Sequence, residues 1–211
     1  AGWYIMRHNN DYCFIVCGPN GQNGRGGHAH NDKLSFELML GGEDIVADPG
    51  TYCYTNYPEW RNKFRSTVFH NTVHIDGREQ SDISGDLFVM TSGVDCVLTK
   101  FDDDGQSINF AGEARYIDKD IVHHRAIQLW KDNGEVEIRD GIRGAETASV
   151  NLCLGPASGN TLFELDSEKL NQLDGLCSNQ YGLKDTCVSL KGAMRTGNQT
   201  NMLRIKVKIT T

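Results

Sequence analysis

The chain has 211 residues, 38% of them hydrophobic, and a formal net charge of −7, a size that suits one large β domain or two small ones. The acidic balance offers no basic face to nucleic acid or to an anionic membrane, although local arginines could still meet an anionic substrate. No apolar run approaches the ~20 residues that cross a bilayer, so neither a nucleic-acid nor a membrane partner is expected.

Strand-like runs recur along the whole chain, at 3–7, 12–17, 34–40, 43–47, 71–75, 88–91, 94–101, 108–116, 121–130, 135–140, 148–154, 161–165, 186–191 and 203–209. Phe36, Leu38 and Leu40 alternate with Glu37, Met39 and Gly41, as a strand with one core face does. Asn133 and Gly134 supply the positive φ angles of a tight reversal between 123–130 and 135–140. There is no long helical pattern. Many short strands with turn chemistry between them predict an all-β fold, an antiparallel β-sandwich of stacked sheets, as one domain over 1–211.

Between the second and third runs lies a loop without apolar residues, Gly18 to Gly27. It lacks the Gly-Lys-Ser/Thr ending of a phosphate loop and is read as a lip beside a site. His28 and His30 follow it, two apart, so an extended backbone aims both rings to one side. Asp48 comes eighteen residues after His30, and His70 twenty-two after Asp48. Two imidazoles and a carboxylate on separate strand ends suit zinc better than calcium or magnesium. The alternative is a set of hydrogen-bonded core polars.

His28 could move a proton or bind a carboxylate, or it could cap the glycine loop. Asn31 and Asp32 could be partners that orient a ligand histidine, and Asp32 could equally be a turn residue. Residues 50–57 carry Tyr52, Tyr54 and Tyr57, whose hydroxyls and rings suit a sugar, or which simply cover the core. Arg61, Lys63 and Arg65 could grip a carboxylate or sulfate, or form a solvated surface. His123 and His124 alternate faces, so at most one points inward. Asp102, Asp103 and Asp104 precede a glycine and read as a turn. Seven cysteines, with no CxxC pair, read as small buried thiols, with one or two disulfides as the alternative.

Four blocks occur in order: Gly-His-Ala-His-Asn-Asp-Lys-Leu-Ser-Phe at 27–36, Asp-Pro-Gly-Thr-Tyr at 48–52, Arg-Ser-Thr-Val-Phe-His-Asn-Thr-Val at 65–73, and Asp-Gly-Arg-Glu-Gln at 76–80. Together they resemble the heparinase II/III-like family of polysaccharide lyases, with the 123–140 hairpin matching more weakly. The resemblance implies a C-terminal domain of stacked antiparallel sheets, with an N-terminal helical toroid expected as the missing partner and the substrate groove between them. It implies a structural zinc on His30, Asp48 and His70. It puts His28 in the active site with a tyrosine from the following loop, Tyr54 or Tyr57. Arg61 and Arg65, and with them Asn71, are assigned to substrate binding. The implied reaction is β-elimination at a uronic acid of an acidic polysaccharide, in the periplasm or outside the cell, with the isolated domain inactive. A non-catalytic carbohydrate-binding or structural β module, and a zinc hydrolase, are the competing readings.

Overall fold

The computed structural model describes residues 2–165, 170–194 and 201–209. In chain order the strands are β1 (Trp3–His8), β2 (Asp11–Val16), β3 (Phe36–Leu40), β4 (Glu43–Val46), β5 (Val73–Ile75), β6 (Val94–Asp103) and β7 (Ser107–Tyr116). They continue as β8 (Val122–Trp130), β9 (Val136–Arg143), β10 (Ala148–Cys153), β11 (Thr161–Leu165), β12 (Asn171–Gln180), β13 (Leu183–Met194) and β14 (Asn201–Ile209). A short α-helix, α1 (Pro58–Phe64), and 3-10 turns at Thr67–Phe69 and Ser158–Asn160 interrupt them. The strands form three sheets, ordered β1-β2-β3-β4, β12-β13-β10-β5 and β11-β14-β9-β8-β7-β6. The strand pairings are antiparallel.

The sheets share one core. Met6, Ile15 and Leu38 come from the first, Val73, Val150 and Leu152 from the second, and Phe110, Ile127, Ile138 and Ile205 from the third. Each such aliphatic side chain withdrawn from water contributes about 1.5–3 kcal/mol. The stacked all-β architecture expected from the strand pattern is the one observed.

Three local expectations are corrected. Residues 88–91 leave a turn at 87–88 and run irregularly instead of as a strand, with the Leu87 carbonyl taken by Arg61 and Arg65 and the Met90 N–H given to the Arg25 carbonyl. Residues 171–180, which show no alternation, form β12, an edge strand that is exposed or half-buried throughout. In the β8–β9 connection only Gly134 is left-handed (φ +66°), while the Asn133 side chain accepts the Glu135 N–H at 2.9 Å.

On β8 the inward face reads His123, Arg125, Ile127, Leu129, so half of it is polar. Arg125 is fully buried and donates to both Asp140 oxygens at 2.7 and 2.9 Å. It also donates to the carbonyls of Leu34 and Asn71, each at 2.6 Å. Leu34 follows the His28–His30 segment and Asn71 follows His70, so one guanidinium ties the third sheet to both histidine-bearing segments. Leu34 itself is left-handed (φ +60°), a conformation that costs a non-glycine residue roughly 1–2 kcal/mol. Its N–H on Val16, its carbonyl on Arg125 and its buried side chain hold it there.

Candidate functional site

The segment carrying His28 and His30 is fixed from both ends. Upstream, Gly26 is left-handed (φ +64°), and a Cβ there would stand 2.5 Å from the Met90 carbonyl. Gln22 accepts the Gly27 N–H through its side chain, and Asn20 donates to Met90. The glycine loop is thus a pinned wall. Downstream, the Asn31 amide donates to Glu79 (2.7 Å) and to the Ser81 carbonyl (2.8 Å). Glu79 also accepts from the Thr67 N–H and hydroxyl, and Gln80 both accepts from and donates to the Lys33 backbone. The block at 76–80 therefore stitches the His30 segment to the turn that precedes His70. Asn31, expected to orient a ligand histidine, instead gives its amide donors to this scaffold.

This mesh brings His30, Asp48 and His70 together. His70 Nδ1 lies 2.9 Å from Asp48 Oδ2, and the His30 and His70 ring centroids are 5.1 Å apart. His70 is fully buried, and its Nε2 has no hydrogen-bond partner among the described residues. Burial opposes charge on His70, but Asp48, its hydrogen bond, Asp32 and Glu79 together outweigh it and raise the pKa. His30 goes the other way, down to about 3, through burial first and then through repulsion by His70. Burial works against the Asp48 carboxylate, yet His70 and the Gly50 N–H hold its pKa below the usual range.

Zinc bonds of about 2.0–2.1 Å at tetrahedral angles place two imidazole centroids roughly 5 Å apart and two donor atoms roughly 3.3 Å apart. The observed 5.1 Å meets the first figure, and the 2.9 Å pair needs to open by a few tenths of an ångström to meet the second. The His30–His70 and Asp48–His70 separations therefore suit zinc. Among the described residues, however, no group of three His, Cys, Asp or Glu side chains is already arranged to hold a metal ion. The resting arrangement is a hydrogen-bonded pair with a third ring beside it.

Two recesses meet at His30 and Asp32. The larger, of about 240 Å³, runs from the glycine loop past His28 to Lys33 and Trp3. The smaller, of about 110 Å³, adds Glu37 and Asp48. His28 is exposed at the rim of the larger one. Its ring meets Tyr54 edge-on, centroids 5.5 Å apart at 90°, and Phe88 at 5.9 Å. Tyr54 in turn lies 5.6 Å from Tyr181, which sits in the β12–β13 turn. Tyr57 is 52% exposed and caps the N-terminus of α1, with its carbonyl accepting the N–H groups of Trp60 and Arg61. His28 and Tyr54 are thus brought into contact, and Tyr57 stands open to solvent on the same loop.

The residues expected to bind substrate are placed differently. The four-residue spacing of Arg61 and Arg65 becomes one inward face of α1, and both are buried. Arg65 gives its donors to Asn62 and to the carbonyls of Ile83, Asp86 and Leu87. Arg61 donates to the Leu87 and Gly27 carbonyls, and its Cζ lies 4.9 Å from the Tyr54 ring centre. Its Nη1 is buried without a partner among the described residues. Asn71 donates to the Phe36 and Ala47 carbonyls and accepts the Cys153 N–H, so it joins β3, the end of β4 and β10. Arg65 and Asn71 therefore spend their polar atoms inside the protein. Phe88 and Tyr181 were not foreseen as site residues; Tyr181 comes from a hairpin whose polar first strand left no periodic signal.

The family model described as Heparinase II/III-like, C-terminal, matches residues 1–187. A heparin-sulfate lyase of Bacteroides stercoris is 27% identical over 130 residues, which is 59% of this chain and 17% of that protein. A heparan sulfate lyase from Pedobacter heparinus superposes with a TM-score of 0.78 at 18% identity, over 99% of this chain and 35% of that one. A heparinase III crystal structure gives 0.80 at 18% identity, over 100% and 36%. At that identity the two structures speak for the fold. The chain spans about a third of their length and less than a fifth of the Bacteroides lyase.

Proposed function

This chain belongs to the heparinase II/III-like family, and from that premise we propose that it is the β-sheet domain of a polysaccharide lyase that cleaves a uronic-acid polymer by β-elimination. The observation that carries the reading is the pairing of an exposed His28 with Tyr54 at the mouth of the larger recess. In β-elimination the proton beside the uronate carboxylate is removed, negative charge develops on that carboxylate, and the departing glycosidic oxygen receives a proton. His28, on the recess, and a tyrosine hydroxyl beside it are suited to hold or pass protons, with Tyr54 in contact with His28 and Tyr57 as the freer alternative. Arg61 is a positioning residue: it holds the Gly27 carbonyl, next to His28, and supports the face of Tyr54.

His30, Asp48 and His70 would hold a zinc ion whose contribution, when bound, is to cross-link the three segments behind His28. That role is structural, and the proton transfers run through the chain's own side chains. Metal analysis of the purified protein tests it: about one zinc per chain is expected, and none in His70→Ala.

The heparin and heparan sulfate named for the relatives make these polymers the first substrates to try, with alginate beside them. We assign the acidic polysaccharide, the helical partner domain and a periplasmic or extracellular location to the whole protein, and expect the isolated domain to fold without turnover. The test is the ultraviolet absorbance of unsaturated uronate released by the full-length protein. His28→Ala should lower the rate by about 10²-fold or more. No product from any uronate polymer would overturn the assignment, and glycan binding that survives His28→Ala and Tyr54→Phe without turnover would favour a binding module.

A further inference from the structure

Away from the His28 recess, three thiols gather on the second sheet. Cys153 ends β10, Cys187 lies on β13 and Cys177 on β12. In the β10–β13 register Cys153 faces Ser189, two residues from Cys187. In the β12–β13 register Cys187 faces Gly175, two residues from Cys177. Positions two apart on a strand share a face, so Cys187 has a thiol on either flank. Cys153 Sγ is 3.4 Å from Cys187 Sγ. Gly175 leaves the room for this, since a Cβ there would stand 3.0 Å from Cys187 Sγ and 2.3 Å from Ser189 Oγ.

The cluster differs from the isolated thiols of a packed core. Cys13 is sealed in, and burial pushes it up to about 12. Cys187 is half-buried, and the hydrogen bond from Cys153 pulls it down to about 7 against the cost of burial, with Cys177 and Ser189 helping. A cavity of about 180 Å³ opens beside Cys153 and Ser189. Lys63 and Lys191 line it, with Asp174 as the one acid on its wall. Asn151 is buried there with Oδ1 unpartnered among the described residues.

We propose that Cys153, Cys177 and Cys187 form a thiol–disulfide exchange site that takes a low-molecular-weight anionic disulfide. The Cys187 thiolate attacks one sulfur of the incoming disulfide. A Cys187–S bond forms, the incoming S–S bond breaks, and the departing thiolate takes a proton from solvent. Cys153 or Cys177 then loses its proton and attacks Cys187 Sγ, releasing the second small thiol. Two protein thiols are oxidised to one disulfide, and one small disulfide is reduced to two thiols. Lys63 and Lys191 are placed to meet the carboxylates of the incoming molecule. The site is independent of the lyase reading, yet it stands at the base of the hairpin that carries Tyr181 to Tyr54.

Glutathione disulfide is the probe. The full-length protein is incubated with it at neutral pH, quenched, digested without reductant and mapped by mass spectrometry. A Cys153–Cys187 or Cys177–Cys187 linked peptide is expected, with Cys187 reacting about tenfold or more faster than Cys13 or Cys53. In the Cys153→Ser/Cys177→Ser double variant, Cys187 should retain a stable glutathione adduct. A Cys187 that stays free in both proteins, or reacts no faster than Cys13, overturns the proposal.

Discussion

Replacing Arg125 by methionine isolates the charge that locks the third sheet to the histidine segments. Methionine keeps an aliphatic stem over Phe36, whose ring centre lies 5.3 Å from the guanidinium carbon. It deletes both bonds to Asp140 and the bonds to the Leu34 and Asn71 carbonyls. Asp140 is fully buried, and its pKa is held far below the usual range: burial opposes the charge, but Arg125 and the His123 hydrogen bond outweigh it. Without Arg125 that charge keeps, among the described residues, the bond from His123 Nε2 at 2.7 Å. Removing one partner of a buried pair costs about 3–5 kcal/mol, a large part of the ~5–15 kcal/mol that holds a domain together. With a urea m-value of about 2–3 kcal/mol/M, the unfolding midpoint of Arg125→Met should fall by about 1–2.5 M. The triple variant His123→Phe/Arg125→Met/Asp140→Leu removes the stranded charge. It should regain most of the loss, leaving about 2 kcal/mol for the two carbonyls. A single variant within about 1 kcal/mol of wild type, or a triple variant no better than the single, would refute the reasoning.

Three further outcomes are expected. Burial lowers the His123 pKa despite Asp140. Below pH ~6.5 the unfolded chain therefore binds a proton that the folded chain refuses, and stability falls as pH drops from there toward the folded pKa. In pH-dependent urea titrations His123→Phe should flatten that limb, and a curve parallel to wild type would count against it. Asn71→Ala loses three internal hydrogen bonds and should cost about 2–4 kcal/mol. Asn71→Asp should fare no better, because a carboxylate would face two carbonyls; a raised KM at an unchanged midpoint would instead return Asn71 to the substrate. Gly50 is left-handed (φ +83°), and a Cβ there would stand 2.2 Å from the Ser178 carbonyl. Gly50→Ala should undock the β12–β13 hairpin, read as faster amide exchange of Ser178 and Gly182, which bond to Pro49 and Tyr52; unchanged exchange would contradict it.

The strands were legible wherever one face is buried, because a period of two then survives in the sequence: β3 and β8 alternate residue by residue. The same rule explains the miss at β12, an edge strand with no fully buried position. α1 is too short for a helical period to stand out, so Arg61 and Arg65 read as loop cations, although their spacing puts them on one inward face. A buried, hydrogen-bonded arginine and an exposed one carry the same letter, and only packing separates Arg65 from a substrate-facing residue.

The sequence by itself determined the class of fold and the identity of the histidines, because periodicity and short motifs are local properties. It could not determine that Glu79 and Gln80 hold the His30 segment, that Arg125 reaches Leu34 from ninety-one positions away, or that Tyr181 closes on Tyr54. Those are distances between remote segments. They are decided when three sheets bury one core and the polar groups trapped at its border must find each other.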